Sequence, residues 1–169
     1  MNLLYINDEP NRYPQNSWYT ATSELLDSFE PINNDISADV AIIGGGYAGL
    51  SAGLLLAEAG VNTVLLEAQK VGFGASGRNG GQLGAGQRMD QRDLIKLVGD
   101  NLGDQLWFLA EDAIDTVKNL IAKNEINCFL RPGVANLGTS NTETSDLHYY
   151  AEFLEKRYNL GSIDTVSKE

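Results

Sequence analysis

The residues best suited to chemistry form one short stretch, Gly44-Gly45-Gly46-Tyr47-Ala48-Gly49. The spacing Gly-x-Gly-x-x-Gly is typical of loops that hold a pyrophosphate. Its first glycine makes a tight turn, its second brings the phosphates close to the backbone, and its third lets a helix pack against a strand. A helix that begins here also presents free N–H groups and the positive end of its dipole. The stretch therefore predicts a phosphate-binding loop.

A carboxylate stands where a bound dinucleotide would place its adenosine ribose. Glu67 lies 18 residues after Gly49, at the end of an apolar run. Such a carboxylate accepts hydrogen bonds from the ribose hydroxyls and repels a 2′-phosphate, which argues against NADP. The loop and Glu67 together fit either FAD or NAD. A structural glycine turn beside a solvated glutamate is the alternative without a ligand.

A strand, a helix and a second strand are needed to position these residues. Residues 39–43 form a short apolar run that predicts a buried strand, and 47–59 predict a helix with Gly60 just past its end. Residues 62–67 predict the second strand. A strand–helix–strand unit of about thirty residues has parallel strands. The fold class expected from this pattern is α/β.

A second glycine-rich loop follows, with seven glycines among residues 72–86. Glycine lets main chain lie against a flat ring or a phosphate, but it also allows a mobile surface loop, and glycine content alone leaves both interpretations open. Arg78 could pair with a phosphate or orient the loop. Asn79 or Gln82 could hydrogen-bond to the polar atoms of a flavin.

The rest of the chain has weaker patterns and is predicted to be mainly helical. The predictions, in chain order, are an extended arm with one helical turn near Ser23–Ser28, helix over 90–124 interrupted at Gly99 and Gly103, a hairpin or two strand fragments at 128–137, a helix capped at 144–146 that runs through Tyr158, and a starting strand at 162–166. Among single side chains, we expect Cys128, Trp107 and Phe108 in apolar packing, His148 at the surface, and Glu111, Asp112 and Asp115 on a solvated helix face.

Composition argues against several functional classes. The net charge of −11 disfavours nucleic acids and anionic membranes as partners. One cysteine and one histidine allow neither an internal disulfide nor a metal cluster built from those residues. The first ten residues lack the positive start of a secretory signal, and no run of 18 apolar residues is present. We expect a soluble cytoplasmic protein without a metal site.

Several segments resemble the beginning of FAD-dependent amine and amino-acid oxidoreductases of the D-amino-acid-oxidase-like superfamily. They are ADVAIIGGGYAGLSA at 38–52, LLEA at 65–68 and GFGASGRNGGQ at 72–82. SWYTAT at 17–22 and INCFLRPG at 126–133 are similar to segments of its gamma-glutamylputrescine oxidoreductase branch. The similarity covers about residues 17–165 and is most specific at the run SGRNGG.

This resemblance implies FAD as the cofactor and an α/β fold with a Rossmann-like, incomplete FAD-binding β-α-β domain. It implies an arm at 1–37, the FAD-binding segment at 38–90, and a helical segment with the start of an α+β substrate domain at 91–169. The cofactor-binding residues that we predict from the motifs and the resemblance together are Gly44, Gly45, Gly46, Tyr47, Ala48, Gly49, Glu67, Ala68, Ser76, Gly77, Arg78, Asn79, Gly80, Gly81 and Gln82.

The resemblance also implies a reaction. The family oxidises the C–N bond of an amine or amino acid, passes hydride to the flavin, and usually uses O₂ as the acceptor. No catalytic base can be assigned to a residue of this chain. Two alternatives remain open: an NAD-dependent dehydrogenase, which leaves the 72–86 loop unexplained, and a non-catalytic nucleotide-binding module.

Family members are more than twice as long as this chain. We therefore expect the chain alone to bind FAD weakly, to show no turnover, and to self-associate through sheet edges and apolar faces that stay uncovered.

Overall fold

The structure is a computed structural model that describes residues 17–23, 26–27, 29–160, 163–164 and 166. The chain divides into a first unit, Met1–Gln82, and a second unit, Leu83–Glu169. In chain order, the elements are α1 (Trp18–Thr22), β1 (Val40–Ile43), α2 (Tyr47–Glu58), β2 (Thr63–Leu66), a short 3₁₀ turn (Ala75–Gly77), α3 (Gln91–Val98), α4 (Asp100–Lys123) and α5 (Asn141–Tyr158). Helices combined with a small parallel sheet make the fold α/β, as the sequence predicts.

The first unit is built on β1, α2 and β2. The two strands pair in parallel, with Val40 opposite Thr63 and Ile43 opposite Leu66. Helix α2 ends at Glu58, and Gly60 follows with a φ of 76°, the left-handed conformation that glycine adopts without strain at this position. The predicted strand–helix–strand order and the parallel pairing are therefore confirmed.

Strand β1 was expected to be buried, and this expectation is wrong. Its residues alternate between half-buried and exposed, and Ile43 is 88 % exposed. The half-buried Ile42 extends its Cδ1 toward α2, where it lies 3.5 Å from the position that a Cβ on Gly53 would take. Helix α2 thus covers one face of the two-stranded sheet, and side chains on the other face stay exposed because successive residues of a strand point to opposite sides.

The short helix near the N-terminus lies earlier than the sequence suggested. It spans Trp18–Thr22 and is capped by Ser17, whose Oγ accepts a hydrogen bond from the Thr20 N–H at 3.0 Å. Ser23 ends it with an extended backbone, so the turn expected to start there is wrong at that residue. Residues 24, 25 and 28 of that expected turn lie outside the described residues.

Helices α3 and α4 of the second unit show that one of two predicted glycine breaks is correct. Gly99 separates the helices with a φ of 83°. Gly103, the other expected break, lies inside α4 and is buried. A Cβ on Gly103 would be 2.6 Å from Ile95 Cγ1, so glycine is needed for the close approach of α3 and α4.

Helix α5 begins three residues before the cap that the sequence suggested at 144–146. Ser140 is its N-cap and accepts a hydrogen bond from the Glu143 N–H at 3.2 Å. The Glu143 carboxylate accepts one in return from the Thr139 N–H at 2.7 Å. This reciprocal arrangement is a variant of the capping box, and it gives acceptors to the N–H groups of Thr139 and Glu143. It explains why the helix begins earlier than predicted.

The core of the second unit joins α3, α4 and α5 around one polar side chain. Gln91 is 1 % exposed, and its Nε2 donates to the Gly103 carbonyl oxygen at 2.8 Å and to the Tyr158 hydroxyl at 2.7 Å. The Tyr158 ring stacks on Trp107 with 4.6 Å between centroids, and Trp107 is 3 % exposed. Phe108 was expected in the core but is 51 % exposed, because neighbouring residues on a helix point about 100° apart.

The hairpin or strand fragments expected at 128–137 are wrong, since the structure places no strand among these residues. Phe129 has a φ of 51°, which turns the chain out of the extended conformation that a strand requires.

Cys128 is exposed rather than packed as a small apolar residue. His148 is exposed, as expected. Of the expected strand at 162–166, residues 163, 164 and 166 belong to no element, and the others lie outside the described residues.

Two further observations concern membranes and metals. Among the residues described, no helix combines the length and apolar character that a membrane crossing requires. In the same part of the chain, no group of three or more His, Cys, Asp or Glu side chains is arranged to hold a metal ion.

Candidate dinucleotide site

The glycine loop connects the carboxyl end of β1 to the first turn of α2. The Gly44 N–H donates to the Leu66 carbonyl oxygen at 2.7 Å, so the loop starts beside the end of β2. Gly44 has a φ of 106° and makes the turn. Gly46 is the N-cap of α2 and carries no side chain that could cover the helix end. The first turn of α2 therefore has no capping side chain from residue 46.

The third glycine of the loop is required by packing. A Cβ on Gly49 would overlap the Gly44 carbonyl oxygen and would lie 3.3 Å from Ile42 Cγ2. Helix α2 therefore lies directly on the turn that precedes it. This is the close packing of helix and strand that the Gly-x-Gly-x-x-Gly spacing predicts.

Glu67, the first residue after β2, is joined to the glycine loop. Its Oε2 accepts a hydrogen bond from the Gly45 N–H at 2.6 Å, and its Oε1 accepts one from the Gln69 N–H at 2.8 Å. Each carboxylate oxygen has a second lone pair that can accept a further hydrogen bond. The half-buried carboxylate is thus fixed in place beside the loop and can still accept hydrogen bonds from ribose hydroxyls.

The second glycine-rich loop meets the N-terminus of α2 through Ser76. The Tyr47 N–H donates to Ser76 Oγ at 3.0 Å. A Cβ on Gly46 would be 2.9 Å from the same oxygen, so the second loop can approach only because residue 46 is a glycine. The two glycine-rich segments predicted from sequence therefore meet at the N-terminal end of α2.

Asn79 uses its side chain inside the second loop. Its Nδ2 donates to the carbonyl oxygens of Ser76 and Ala75 at 2.8 and 3.2 Å, and to the Tyr47 hydroxyl at 3.1 Å. Its Oδ1 accepts from the Gly81 N–H at 2.8 Å. These contacts fix the shape of the loop and tie it to α2.

Arg78 also supports the loop. Its Nε donates to the Phe73 carbonyl oxygen at 2.8 Å, and its guanidinium lies 4.7 Å from the centroid of the Phe73 ring. Of the two roles that the sequence left open, orientation of the loop is the one that these contacts serve. The residue is otherwise exposed.

The remaining predicted residues lie along the same edge with fewer contacts. Ala48 is in the first turn of α2, and Ala68 follows Glu67 and is exposed. Gly77 ends the 3₁₀ turn, close to the Gly72 carbonyl oxygen. Gly80, Gly81 and Gln82 are exposed.

One residue of the site was not predicted. Tyr19, in α1, donates a hydrogen bond from its hydroxyl to the Asn79 carbonyl oxygen at 2.9 Å. Sixty residues separate the two in sequence, so no local pattern could reveal the contact. The similarity of segment 17–22 to the N-terminus of related oxidoreductases was the available indication.

The residues present fit a dinucleotide. Gly46 places no side chain over the end of α2, and the first turn of this helix presents N–H groups of the kind that bind phosphate, one of which, from Tyr47, donates to Ser76 Oγ at 3.0 Å. Glu67, which follows the neighbouring strand β2, supplies oxygen atoms that can accept hydrogen bonds from the ribose. This arrangement of donors and acceptors suits FAD and NAD equally, so the choice between them requires comparison with known proteins.

The chain matches the family model described as DAO, FAD dependent oxidoreductase, over residues 39–169. It is 36 % identical over 143 residues to gamma-glutamylputrescine oxidoreductase of Escherichia coli, covering 85 % of this chain and 34 % of that protein. It is 35 % identical over 156 residues to the probable oxidoreductase OrdL of Rhizobium meliloti, covering 92 % and 36 %. The corresponding protein of Haemophilus influenzae is 40 % identical over 131 residues, covering 78 % and 30 %.

The chain spans about a third of the length of these curated relatives. Comparison with solved structures gave no significant match. The family match covers most of the chain and includes the glycine loop, Glu67 and the second loop. FAD is accordingly the cofactor of the family, in place of the NAD alternative. This chain belongs to the DAO family of FAD-dependent oxidoreductases.

Proposed function

We propose that the first unit binds the adenosine and pyrophosphate part of FAD as the Rossmann-like, FAD-binding segment of an amine or amino-acid oxidoreductase. The observation that carries this proposal is the position of the Glu67 carboxylate, 2.6 Å from the Gly45 N–H. That contact places a ribose acceptor directly beside a phosphate loop. The function needs both groups at the same edge of a parallel sheet.

Each part of the site has a distinct role in this proposal. The first turn of α2 binds the two phosphates through backbone N–H groups and the helix dipole. Glu67 binds the adenosine ribose. The second loop, held at Ser76 against the Tyr47 N–H, covers the phosphates and excludes water from them. These residues orient the cofactor and do not themselves react.

The proposed reaction is the oxidation of a C–N bond. When bound, FAD accepts hydride from the substrate, and O₂ is the proposed final acceptor. The name of the Escherichia coli relative, gamma-glutamylputrescine oxidoreductase, supports an amine as the substrate class. Residues 91–169 are then the start of the domain that binds this amine. We assign no catalytic base to this chain.

The experiment that tests this proposal is purification of the chain with added FAD, followed by its visible spectrum. We expect bands near those of free flavin, and release of FAD on denaturation. A titration with NAD should displace little of the bound FAD. A colourless protein that releases no flavin would contradict the proposal. Peroxide formation with a panel of amines, in the chain and in any longer form of the protein, separates an enzyme from a binding module.

Self-association is part of the same proposal. Ile43 at the end of β1, Leu55 on α2 and Leu137 in the second unit are 88, 61 and 85 % exposed. Burying side chains of this kind is favourable, by about 25 cal/mol for each Å² of apolar surface removed from water. We expect the chain to elute in gel filtration at a mass above the 18.3 kDa of one copy. Elution as a single copy at all concentrations would contradict this part.

A further inference from the structure

Tyr19 of helix α1 contacts the second glycine-rich loop at Asn79 and at Gly81. Its hydroxyl donates to the Asn79 carbonyl oxygen at 2.9 Å. The same hydroxyl oxygen lies 2.6 Å from the position that a Cβ on Gly81 would take, and the ring carbon Cζ lies 3.7 Å from it. The end of the Tyr19 side chain therefore occupies the space that a side chain at residue 81 would need. Gly81 also has a φ of 67°, which favours glycine independently.

The loop that Tyr19 contacts is attached to the phosphate-binding helix on its other side. Asn79 Nδ2 donates to the Tyr47 hydroxyl at 3.1 Å, and Ser76 Oγ accepts from the Tyr47 N–H at 3.0 Å. Asn79 Oδ1 accepts from the Gly81 N–H at 2.8 Å. This bond links Asn79, which is bonded to Tyr47, with Gly81, which is in contact with Tyr19. Segment 76–82 is thus held between α1 and the first turn of α2.

We propose that Tyr19 is a positioning residue of the cofactor site, which holds segment 76–82 against the N-terminus of α2. This inference rests on the proposed function, because the cofactor is expected to lie under that segment. Tyr19 acts on the cofactor only through the loop. Loss of its hydroxyl removes the hydrogen bond to the Asn79 carbonyl oxygen, while the bonds of Ser76 and Asn79 to Tyr47 remain.

The expected effects follow from the size of one hydrogen bond. Tyr19→Phe should weaken FAD binding about threefold to tenfold, since the loss of one hydrogen bond at a partly exposed site changes an equilibrium constant by about this factor. It should also raise amide exchange in segment 76–82, where the N–H groups of Gly77, Arg78 and Gly81 all donate hydrogen bonds. Exchange in α2 away from its first turn should stay unchanged.

The test uses the complete chain and three measurements on Tyr19→Phe. The first is hydrogen–deuterium exchange without FAD, the second is a titration with FAD followed by flavin fluorescence, and the third is the same titration after adding Gly81→Ala. Gly81→Ala should reduce FAD affinity less in the Tyr19→Phe variant than it does in the unchanged chain. In the variant, the hydroxyl that the added methyl group would meet is gone. Tyr149→Phe is the matched control, since Tyr149 is 68 % exposed and lies in the second unit.

The outcomes separate the inference from the proposed function. Faster exchange in 76–82 with weaker FAD binding supports the inference. Unchanged exchange overturns it, whatever happens to FAD. Faster exchange with unchanged FAD affinity also overturns it, because the loop would then be positioned without consequence for the cofactor. If the unchanged chain binds no FAD, the proposed function fails and the cofactor role of Tyr19 fails with it, while the exchange data still show whether Tyr19 holds the loop.

Discussion

The carboxylate of Glu67 accepts a 2.6 Å hydrogen bond from the backbone N–H of Gly45, 22 residues earlier in the chain. A glutamate that only faced solvent, the alternative that the sequence left open, would not make this contact. The bond ties the end of β2 to the glycine loop, so Glu67 helps to shape the loop in addition to the ribose-binding role that we propose for it. Substitutions of Glu67 should therefore affect both the shape of the loop and its affinity for a dinucleotide.

Two glycines of α2 should respond in opposite ways to the same substitution. Gly49→Ala would place a methyl group into the Gly44 carbonyl oxygen, and we expect a loss of about 2 kcal/mol or more in the free energy of unfolding. Gly53→Ala meets only Ile42 Cδ1 and Leu65 Cδ1 at 3.5 and 3.8 Å, ordinary contact distances. Alanine is favoured over glycine in a helix by up to about 1 kcal/mol, so this variant should be as stable or more stable.

Denaturant unfolding followed by circular dichroism compares the two variants, and FAD titration shows whether the loop survives in each. Equal stability of Gly49→Ala and Gly53→Ala would contradict the close packing of α2 on the turn at Gly44.

Gly103→Ala should destabilise the second unit although it replaces a glycine within a helix. The added methyl group would stand 2.6 Å from Ile95 Cγ1 and 3.3 Å from Ile95 Cα, which forces α3 and α4 apart. We expect a net loss of about 1–2 kcal/mol after the gain in helix propensity. Asn119→Ala, at an exposed position of the same helix, is the control and should be neutral or stabilising. Thermal melting of the helical signal decides, and a Gly103→Ala variant as stable as the unchanged chain would rule out the close approach.

The ion pair between α4 and α5 should make stability depend on pH in the acid range. Arg157 Nε and the Tyr158 hydroxyl each lie 2.7 Å from Asp104 Oδ1. The hydrogen bond from Arg157, followed by that from Tyr158, lowers the pKa of Asp104 below its usual 3.8. The unfolded chain therefore binds the proton more readily, and the stabilisation is complete above about pH 4 and is lost as pH falls through the lower, folded value.

Asp104→Asn isolates this contribution from the other carboxyl groups. The difference in melting temperature between the unchanged chain and Asp104→Asn should be largest near pH 6 and should shrink steadily toward pH 2. Asp112→Asn, at an exposed position of α4, should show no such trend. A difference that stays constant with pH would mean that Asp104 contributes through packing and not through its charge.

Local patterns were sufficient to predict the parts of the fold that depend on neighbouring residues. The bounds of α2, the left-handed Gly60 after it and the break at Gly99 all follow from short-range rules about helix ends. The position of Glu67 after a strand could likewise be predicted from spacing. These features need no knowledge of what lies elsewhere in the chain.

Contacts between distant segments could not be predicted in this way. Gly103 was predicted to break the helix because glycine is unfavourable inside helices. Its contact with Ile95 of α3, which explains the glycine, is made with a different helix. Tyr19 reaches Asn79 across 60 residues. The apolar, β-rich residues at 128–137 favour a strand only where another strand can pair with them, and the described residues offer none there.

The most direct test of the account is the affinity of the chain for FAD before and after Glu67→Gln, measured by quenching of flavin fluorescence. Glutamine keeps the shape of the side chain but removes its charge and one of its two acceptor oxygens, so it can accept only one of the bonds from Gly45 and Gln69. We expect micromolar or weaker binding by the unchanged chain, a loss of about tenfold for Glu67→Gln, and no change for Glu155→Gln, an exposed glutamate on α5. Equal affinity of the unchanged chain and Glu67→Gln, or no binding by either, would contradict the account.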